Sequence, residues 1–227
     1  MWPAFFYVSM NGVTLMKIDK AGFPFIAGAL VPAAVLAGSR RYAWAAGFGA
    51  LAAFFAYFFR DPDRQIPTEP DVAVSPADGQ VVIAGDADPR WSPPGPWKQI
   101  TIFLSPMDVH MNRTPVEGRV TRVEYREGKF LPAYKQEASE NELNEIWLDY
   151  YGEPVVIRQI VGILARRIVC RVVEGQTLAR GERIGLMKFG SRMDVFLPAR
   201  AGILVQAGQH VVAGETVLAR LPPVPGA

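Results

Sequence analysis

Gly175-Gln176-Thr177-Leu178-Ala179-Arg180-Gly181-Glu182 returns as Gly208-Gln209-His210-Val211-Val212-Ala213-Gly214-Glu215, with each glycine displaced by 33 residues. Glycines at this spacing suit tight turns between short strands, because glycine reaches positive φ without steric cost. Two copies do not make a solenoid, which needs more units, so the repeat implies a compact β sandwich built from related hairpins. Ser75-Pro76-Ala77-Asp78-Gly79-Gln80-Val81-Val82 reads as a weaker member of the same set.

Outward from the repeat, the chain from Val72 onward is short apolar runs broken by glycine and proline: VVIAG, QITIFL, GRVTRVEY, PVVIRQIVGIL, RIVCRVV, RMDVFLP, GILVQAG and ETVLARL. Their Val and Ile content predicts a mainly β domain with many turns. Asn141 to Tyr151 (NELNEIWLDYY) reads as a loop or short helix between strands. The repeated turns are similar to the hammerhead hairpins of biotinyl and lipoyl domains.

The N-terminal part has a different texture. Gly22 to Gly38 and Tyr42 to Phe59 are free of charge, separated only by Ser39-Arg40-Arg41. As helices they reach roughly 25–27 Å, slightly under a hydrocarbon core of ~30 Å. Two adjacent runs without a polar stripe have no solvent face to offer, so they predict a membrane hairpin rather than buried core helices. Lys17, Lys20, Arg60 and Arg64 flank the hairpin on the side of the termini, against Arg40 and Arg41 at its tip. The positive-inside bias then places the main domain on the cytoplasmic face of the inner membrane. Pro62 and Pro67 mark a linker, giving an anchoring segment 1–64 and a β domain 65–227.

Composition narrows the function classes. Hydrophobic residues make up 50% of the chain and the formal net charge is +2, which describes an ordered protein without the dense basic face of a nucleic-acid binder. One cysteine, Cys170, allows no internal disulfide, and with only His110 and His210 a metal site is not expected.

Four segments carry chemistry: Phe58-Phe59-Arg60-Asp61-Pro62, Ser75-Pro76-Ala77-Asp78-Gly79, Leu104-Ser105-Pro106-Met107-Asp108-Val109-His110-Met111-Asn112-Arg113, and Lys188-Phe189-Gly190-Ser191-Arg192. In this order, from about Phe58 to Leu221, they resemble the phosphatidylserine decarboxylase family, particularly its short form. The resemblance implies a zymogen that cleaves itself between Gly190 and Ser191 into pieces 1–190 and 191–227, which stay together as a heterodimer. Ser191 becomes a covalent pyruvoyl cofactor that forms a Schiff base with phosphatidylserine in the membrane, and the products are phosphatidylethanolamine and CO₂.

That chemistry explains the residue types. Glycine leaves the attacked carbonyl unobstructed and admits turn conformations closed to other residues. A serine hydroxyl is a weak nucleophile unaided and needs a base within reach, for which His110 is the candidate, with Asp78 orienting it. Longer bacterial members carry two histidines three apart, whereas here His110 stands alone and Arg113 holds the other spacing. Phe-Gly-Ser-Arg likewise stands where they have Leu-Gly-Ser-Thr.

Plainer readings apply elsewhere. Asp108 suits a turn after Pro106, His210 an exposed strand or turn position, and Cys170 a small core residue. Arg166 and Arg167 point to opposite faces of a strand rather than forming a phosphate clamp. The competing function is a membrane-anchored carrier of biotinyl or lipoyl type with Met187-Lys188 as the modified pair. It lacks the Glu-Ala before that pair and gives no role to Asp78 or His110. A soluble amino acid as substrate would leave the apolar hairpin unexplained.

Overall fold

The computed structural model describes residues 17–163, 167–188 and 190–223, without the side chain of Gln136. Arg166, Phe189 and the first sixteen residues of the anchoring segment, all included in the readings above, lie outside the described residues. The chain divides into two compact units, Met1–Pro62 and Asp63–Ala227.

The first unit is a helix pair, α1 (Phe23–Gly38) and α2 (Tyr42–Phe58), turned by Arg40 at φ 58°. A proline in the first turn of α1 suits the helix start, where its missing N–H is no loss. Phe25 joins the helices through Phe55 and Phe59, with ring centroids 5.5 and 5.3 Å away. Leu30, Val31, Val35, Tyr42, Trp44 and Leu51 point outward and are exposed. Lys20–Gly38 is long and apolar enough to cross a membrane by length and composition, and Tyr42–Phe58 is a shorter apolar helix.

The second unit is mainly β, as its valine-rich runs predict. Its strands are β1 (Val72–Val74), β2 (Gly79–Asp86), β3 (Trp97–Leu104), β4 (Met111–Arg113), β5 (Gly118–Arg126), β6 (Leu143–Tyr150) and β7 (Glu153–Val161). They continue as β8 (Ile168–Cys170), β9 (Thr177–Leu178), β10 (Arg183–Met187), β11 (Ser191–Pro198), β12 (Gly202–Ile203), β13 (His210–Val211) and β14 (Val217–Arg220). An eight-stranded antiparallel sheet runs β13-β2-β3-β11-β7-β6-β5-β9, and two three-stranded sheets run β1-β14-β12 and β4-β10-β8.

Two expectations need correction. Asn141–Tyr151 is not a loop or helix, since it holds β6, paired along its length with β7. Its polar residues disguise it: Asn144 and Glu145 are buried and stand opposite Gln159 and Arg158, which partner them. The two repeat copies also do not form hairpins of their own, since β9 pairs with β5 and β13 with β2. Each supplies a two-residue strand, β9 and β13, at opposite ends of the eight-stranded sheet.

What the repeat does build is an internal two-fold relation, with a second pair of turns as partners. Val120 donates to Gln176 O and accepts from Gly175 N, as Val81 donates to Gln209 O and accepts from Gly208 N. Gly181 N donates to Thr114 O and Gly214 N to Ser75 O. The strand-entering turns are thereby matched: Ser75-Pro76-Ala77-Asp78-Gly79 with Thr114-Pro115-Val116-Glu117-Gly118. Ser75 Oγ donates to Ala77 O at 2.6 Å and Thr114 Oγ1 to Val116 O at 2.7 Å. Val74 N bonds Pro115 O while Arg113 N bonds Pro76 O, so each turn receives the chain that leads into the other.

β11, at the centre of the large sheet, is buried throughout. Met193, Val195 and Leu197 face the main core beside Ile100, Ile102 and Ile157. On the opposite face Arg192 grips Asp194 at 2.7 Å, and Thr101 Oγ1 donates to the same carboxylate at 2.8 Å. Cys170 packs against the core, half-buried, as expected of a small apolar residue.

Candidate active site

Ser191, the first residue of β11, pairs with Leu104 of β3 on one side and Val161 of β7 on the other. Alternation puts its side chain on the face of Met193 and Val195, toward the core, and the residue is 0% exposed. Among the described residues its Oγ makes no hydrogen bond. A buried polar atom without a partner costs about 1–3 kcal/mol, and folds keep such atoms mainly where they serve chemistry.

Gly190 sits just before the strand at φ +73°, a conformation that other residues adopt only under strain. A Cβ there would meet nothing within 4 Å. Conformation therefore requires glycine here, and no residue outside its chain neighbours would crowd a side chain.

His110 arrives from the far end of β3. The chain leaves that strand at Leu104 and turns back through a loop closed by Asp108, whose Oδ2 accepts the Ser105 N–H at 2.7 Å. This is the turn role expected of Asp108. The loop delivers His110, 2% exposed, against the segment that leads into Ser191. Its Nε2 lies 3.4 Å from Gly190 N and its Nδ1 3.0 Å from Asp108 O. A backbone carbonyl only accepts and a backbone N–H only donates, so Nδ1 carries the proton and Nε2 presents its lone pair. The ring thus contacts the residue before Ser191, while Ser191 Oγ itself has no hydrogen bond to it.

Asp78 is placed differently from the expected orienting role. Its carboxylate is held by Arg64 Nη2 at 2.8 and 2.9 Å and by the Ala213 N–H at 2.8 Å, not by His110. It reaches the His110 strand through the backbone, because its own turn accepts the Arg113 N–H at Pro76 O, 2.9 Å. Arg113, at the spacing where longer relatives have a second histidine, donates to Gly181 O at 2.9 Å. His210 is exposed on β13, with Nε2 3.2 Å from Asp108 Oδ1. Met187 is fully buried at the end of β10, and Lys188, the residue a carrier would modify, is half-buried.

Several residues at the site escaped the sequence reading. Arg64, noted only as a flanking charge, is the partner of Asp78. Arg192, within the cleavage segment, is buried and donates to Lys135 O at 2.9 Å and Ser139 Oγ at 3.2 Å, tying the strap 129–141 over the sheet. Asn141 secures the same strap, bonding Leu131 N, Leu131 O and Val161 O at 2.8–2.9 Å. Gly162 did leave a signal, since a glycine interrupting an apolar strand marks a close backbone approach.

Comparison with known proteins gives the same answer as the motifs. A family model described as phosphatidylserine decarboxylase matches residues 51–219. A phosphatidylserine decarboxylase proenzyme of Symbiobacterium thermophilum is 46% identical over 207 residues, covering 90% of this chain and 96% of its own. One from Mycobacteroides abscessus is 46% identical over 215 residues, 92% and 90% of the two chains. One from Solibacter usitatus is 44% identical over 206 residues, 90% and 97%. Aligned across its helix pair and its β unit alike, with Gly190-Ser191 at the head of the central strand, the chain belongs to the phosphatidylserine decarboxylase family.

Proposed function

We propose that this protein is a phosphatidylserine decarboxylase made as a precursor, which cleaves itself between Gly190 and Ser191 and then converts phosphatidylserine to phosphatidylethanolamine and CO₂. The observation that carries this reading is Ser191 Oγ, buried without a hydrogen bond among the described residues, at a bond whose Gly190 N–H is accepted by His110 Nε2.

In the maturation step His110 Nε2 takes the Ser191 Oγ proton, Oγ bonds to the Gly190 carbonyl carbon, and the carbon–nitrogen bond breaks as the Ser191 nitrogen takes a proton. The amide has become an ester. Removal of the Ser191 Cα proton then breaks the Cβ–Oγ bond and releases Gly190 as a carboxylate. Hydrolysis of the dehydroalanine left at 191 expels ammonia and leaves a pyruvoyl group. Asp78 supports this step from a distance, fixing the turn on which the strand after His110 rests. General-base assistance of this kind is typically worth ~10²–10⁴-fold.

The residues present fit that group, since the orphaned Oγ marks an atom the fold does not use for its own stability. When formed, it supplies a ketone that captures the substrate amine and delocalises the electron pair left by CO₂. The chain holds it rigidly: β11 lies between β3 and β7, and Arg192 anchors the second residue of the new terminus. His110 is the candidate to return a proton to the product.

The pieces 1–190 and 191–227 stay associated as a heterodimer because β11, β13 and β14 of the small piece pair with β3, β7, β2 and β1 of the large one. The outward-facing apolar side chains of the helix pair fit lipid, and residues 1–64 deliver the site to the cytoplasmic face of the inner membrane. An enzyme held there need not lift acyl chains into water, which costs roughly 0.8 kcal/mol for each CH₂.

Intact mass of the purified protein tests the reading. Two masses split at Gly190–Ser191, co-eluting until denaturant is added, are expected, with the small piece blocked to Edman degradation. Ser191→Ala should stay one chain of 227 residues and be inactive on phosphatidylserine. Splitting of that variant would end the assignment.

A further inference from the structure

Beyond Ser191 and His110, the backbone at the end of β7 meets the bond proposed to break. Val161 is the pairing partner of Ser191, so the next residue, Gly162, lies beside Gly190. A Cβ on Gly162 would stand 2.5 Å from the Gly190 carbonyl oxygen, 3.4 Å from its carbon and 3.2 Å from Ala133 Cβ. Gly162 is not among the glycines with positive φ, so space rather than conformation requires glycine there.

Neither wall of this seat is free to retreat. Asn141, 2% exposed, donates to Val161 O at 2.9 Å and holds Leu131 from both backbone sides. Val161 N in turn donates to Glu142 O at 3.1 Å. The strap that carries Ala133 is pinned a second time by Arg192 through Lys135 O and Ser139 Oγ. Any side chain at 162 therefore presses on the Gly190 carbonyl.

We infer that Gly162 is a positioning residue for self-cleavage: its bare Cα is the seat that sets the Gly190 carbonyl in line for Ser191 Oγ during ester formation. The inference rests on the proposed cleavage at Gly190–Ser191. In that step Oγ gives its proton to His110 Nε2 and bonds to the Gly190 carbon, whose oxygen takes the negative charge. The carbonyl re-forms as the bond to the Ser191 nitrogen breaks and that nitrogen is protonated. The oxygen resting on Gly162 is thus the atom on which charge develops. Misplacing a reacting group by about 1 Å costs on the order of 10²-fold in rate.

The full-length chain provides the test, with cleavage followed by intact mass. Gly162→Ala should slow cleavage about a hundredfold or more, and Gly162→Ala placed in the Ser191→Ala background should melt cooperatively. Adding Ala133→Gly to Gly162→Ala removes the opposing wall and should restore a measurable part of the rate, which general destabilisation would not permit. Neutral hydroxylamine should trap a hydroxamate on Gly190 in wild type during maturation and none in Gly162→Ala. Wild-type cleavage by Gly162→Ala, equal hydroxamate in both chains, absence of rescue, or absence of a folding transition would each overturn the seat. A wild-type chain that never splits at Gly190–Ser191 would instead overturn the reading beneath it.

Discussion

The turns Ser75–Gly79 and Thr114–Gly118 share one backbone frame and differ in what their carboxylates do. Asp78 is 8% exposed and holds Arg64 and the Ala213 N–H. Glu117, one methylene longer, is half-buried, with its carboxylate 3.7 Å from Arg180 Nε. The hydrogen bonds that repeat are those that close a turn and dock it on an edge strand, which any copy of this unit needs to fold. The bonds that do not repeat are those Asp78 accepts from Arg64 and the Ala213 N–H, the first of which ties the linker to the turn beneath the His110 strand. The frame is structural and common to both halves, while the tie to the linker belongs to one.

The comparison predicts its largest asymmetry in maturation. Asp78→Asn should slow appearance of the two fragments by about a hundredfold, the cost of misplacing a reacting group by about 1 Å. Glu117→Gln should mature within about twofold of wild type. Similar rates for the two variants, read by intact mass over time, would dissolve the distinction. His110→Ala and His210→Ala extend it: the first removes the base facing Gly190 and should leave a precursor, the second an exposed edge residue of little consequence.

Stability should be symmetric where maturation is not. A Cβ on Gly79 would meet Phe103 O at 2.2 Å and one on Gly118 would meet Asp149 O at 2.4 Å, with φ of +150° and +156°. Backbone atoms cannot move aside as a flexible side chain can. Gly79→Ala and Gly118→Ala should each cost about 1–3 kcal/mol or more in denaturant melts of the Ser191→Ala chain, and by similar amounts.

The smallest effect belongs to the hydroxyls. Ser75→Ala and Thr114→Ala each delete one turn-closing hydrogen bond, worth about 1 kcal/mol. Equal losses would confirm the shared frame, and a loss at only one turn would break it.

The repeat at Gly175 and Gly208 was legible because glycines at fixed spacing carry their own conformational meaning, and all four adopt positive φ. Its counterpart, SPADG against TPVEG, shares only proline and glycine and emerged from hydrogen bonds. β6 was misread because Glu145 and Asn144 look like solvent residues until Arg158 and Gln159 stand opposite them. The segments of Ser191 and His110 were conspicuous in the sequence, and the structure brings His110 to Gly190, whereas Arg64 resembled one more flanking charge.

The sequence by itself determined the apolar helix pair, the β character of the rest and the glycine-marked turns. These follow from local rules, the period of hydrophobic residues and the conformational freedom of single residues. Only the tertiary structure decided that Asp78 binds Arg64, that His110 turns its lone pair toward Gly190, and that Gly162 lies under the Gly190 carbonyl. Each of these depends on strand register between segments far apart in the chain. Pairing at that range is chosen by burial across the whole sheet, which no local stretch encodes alone.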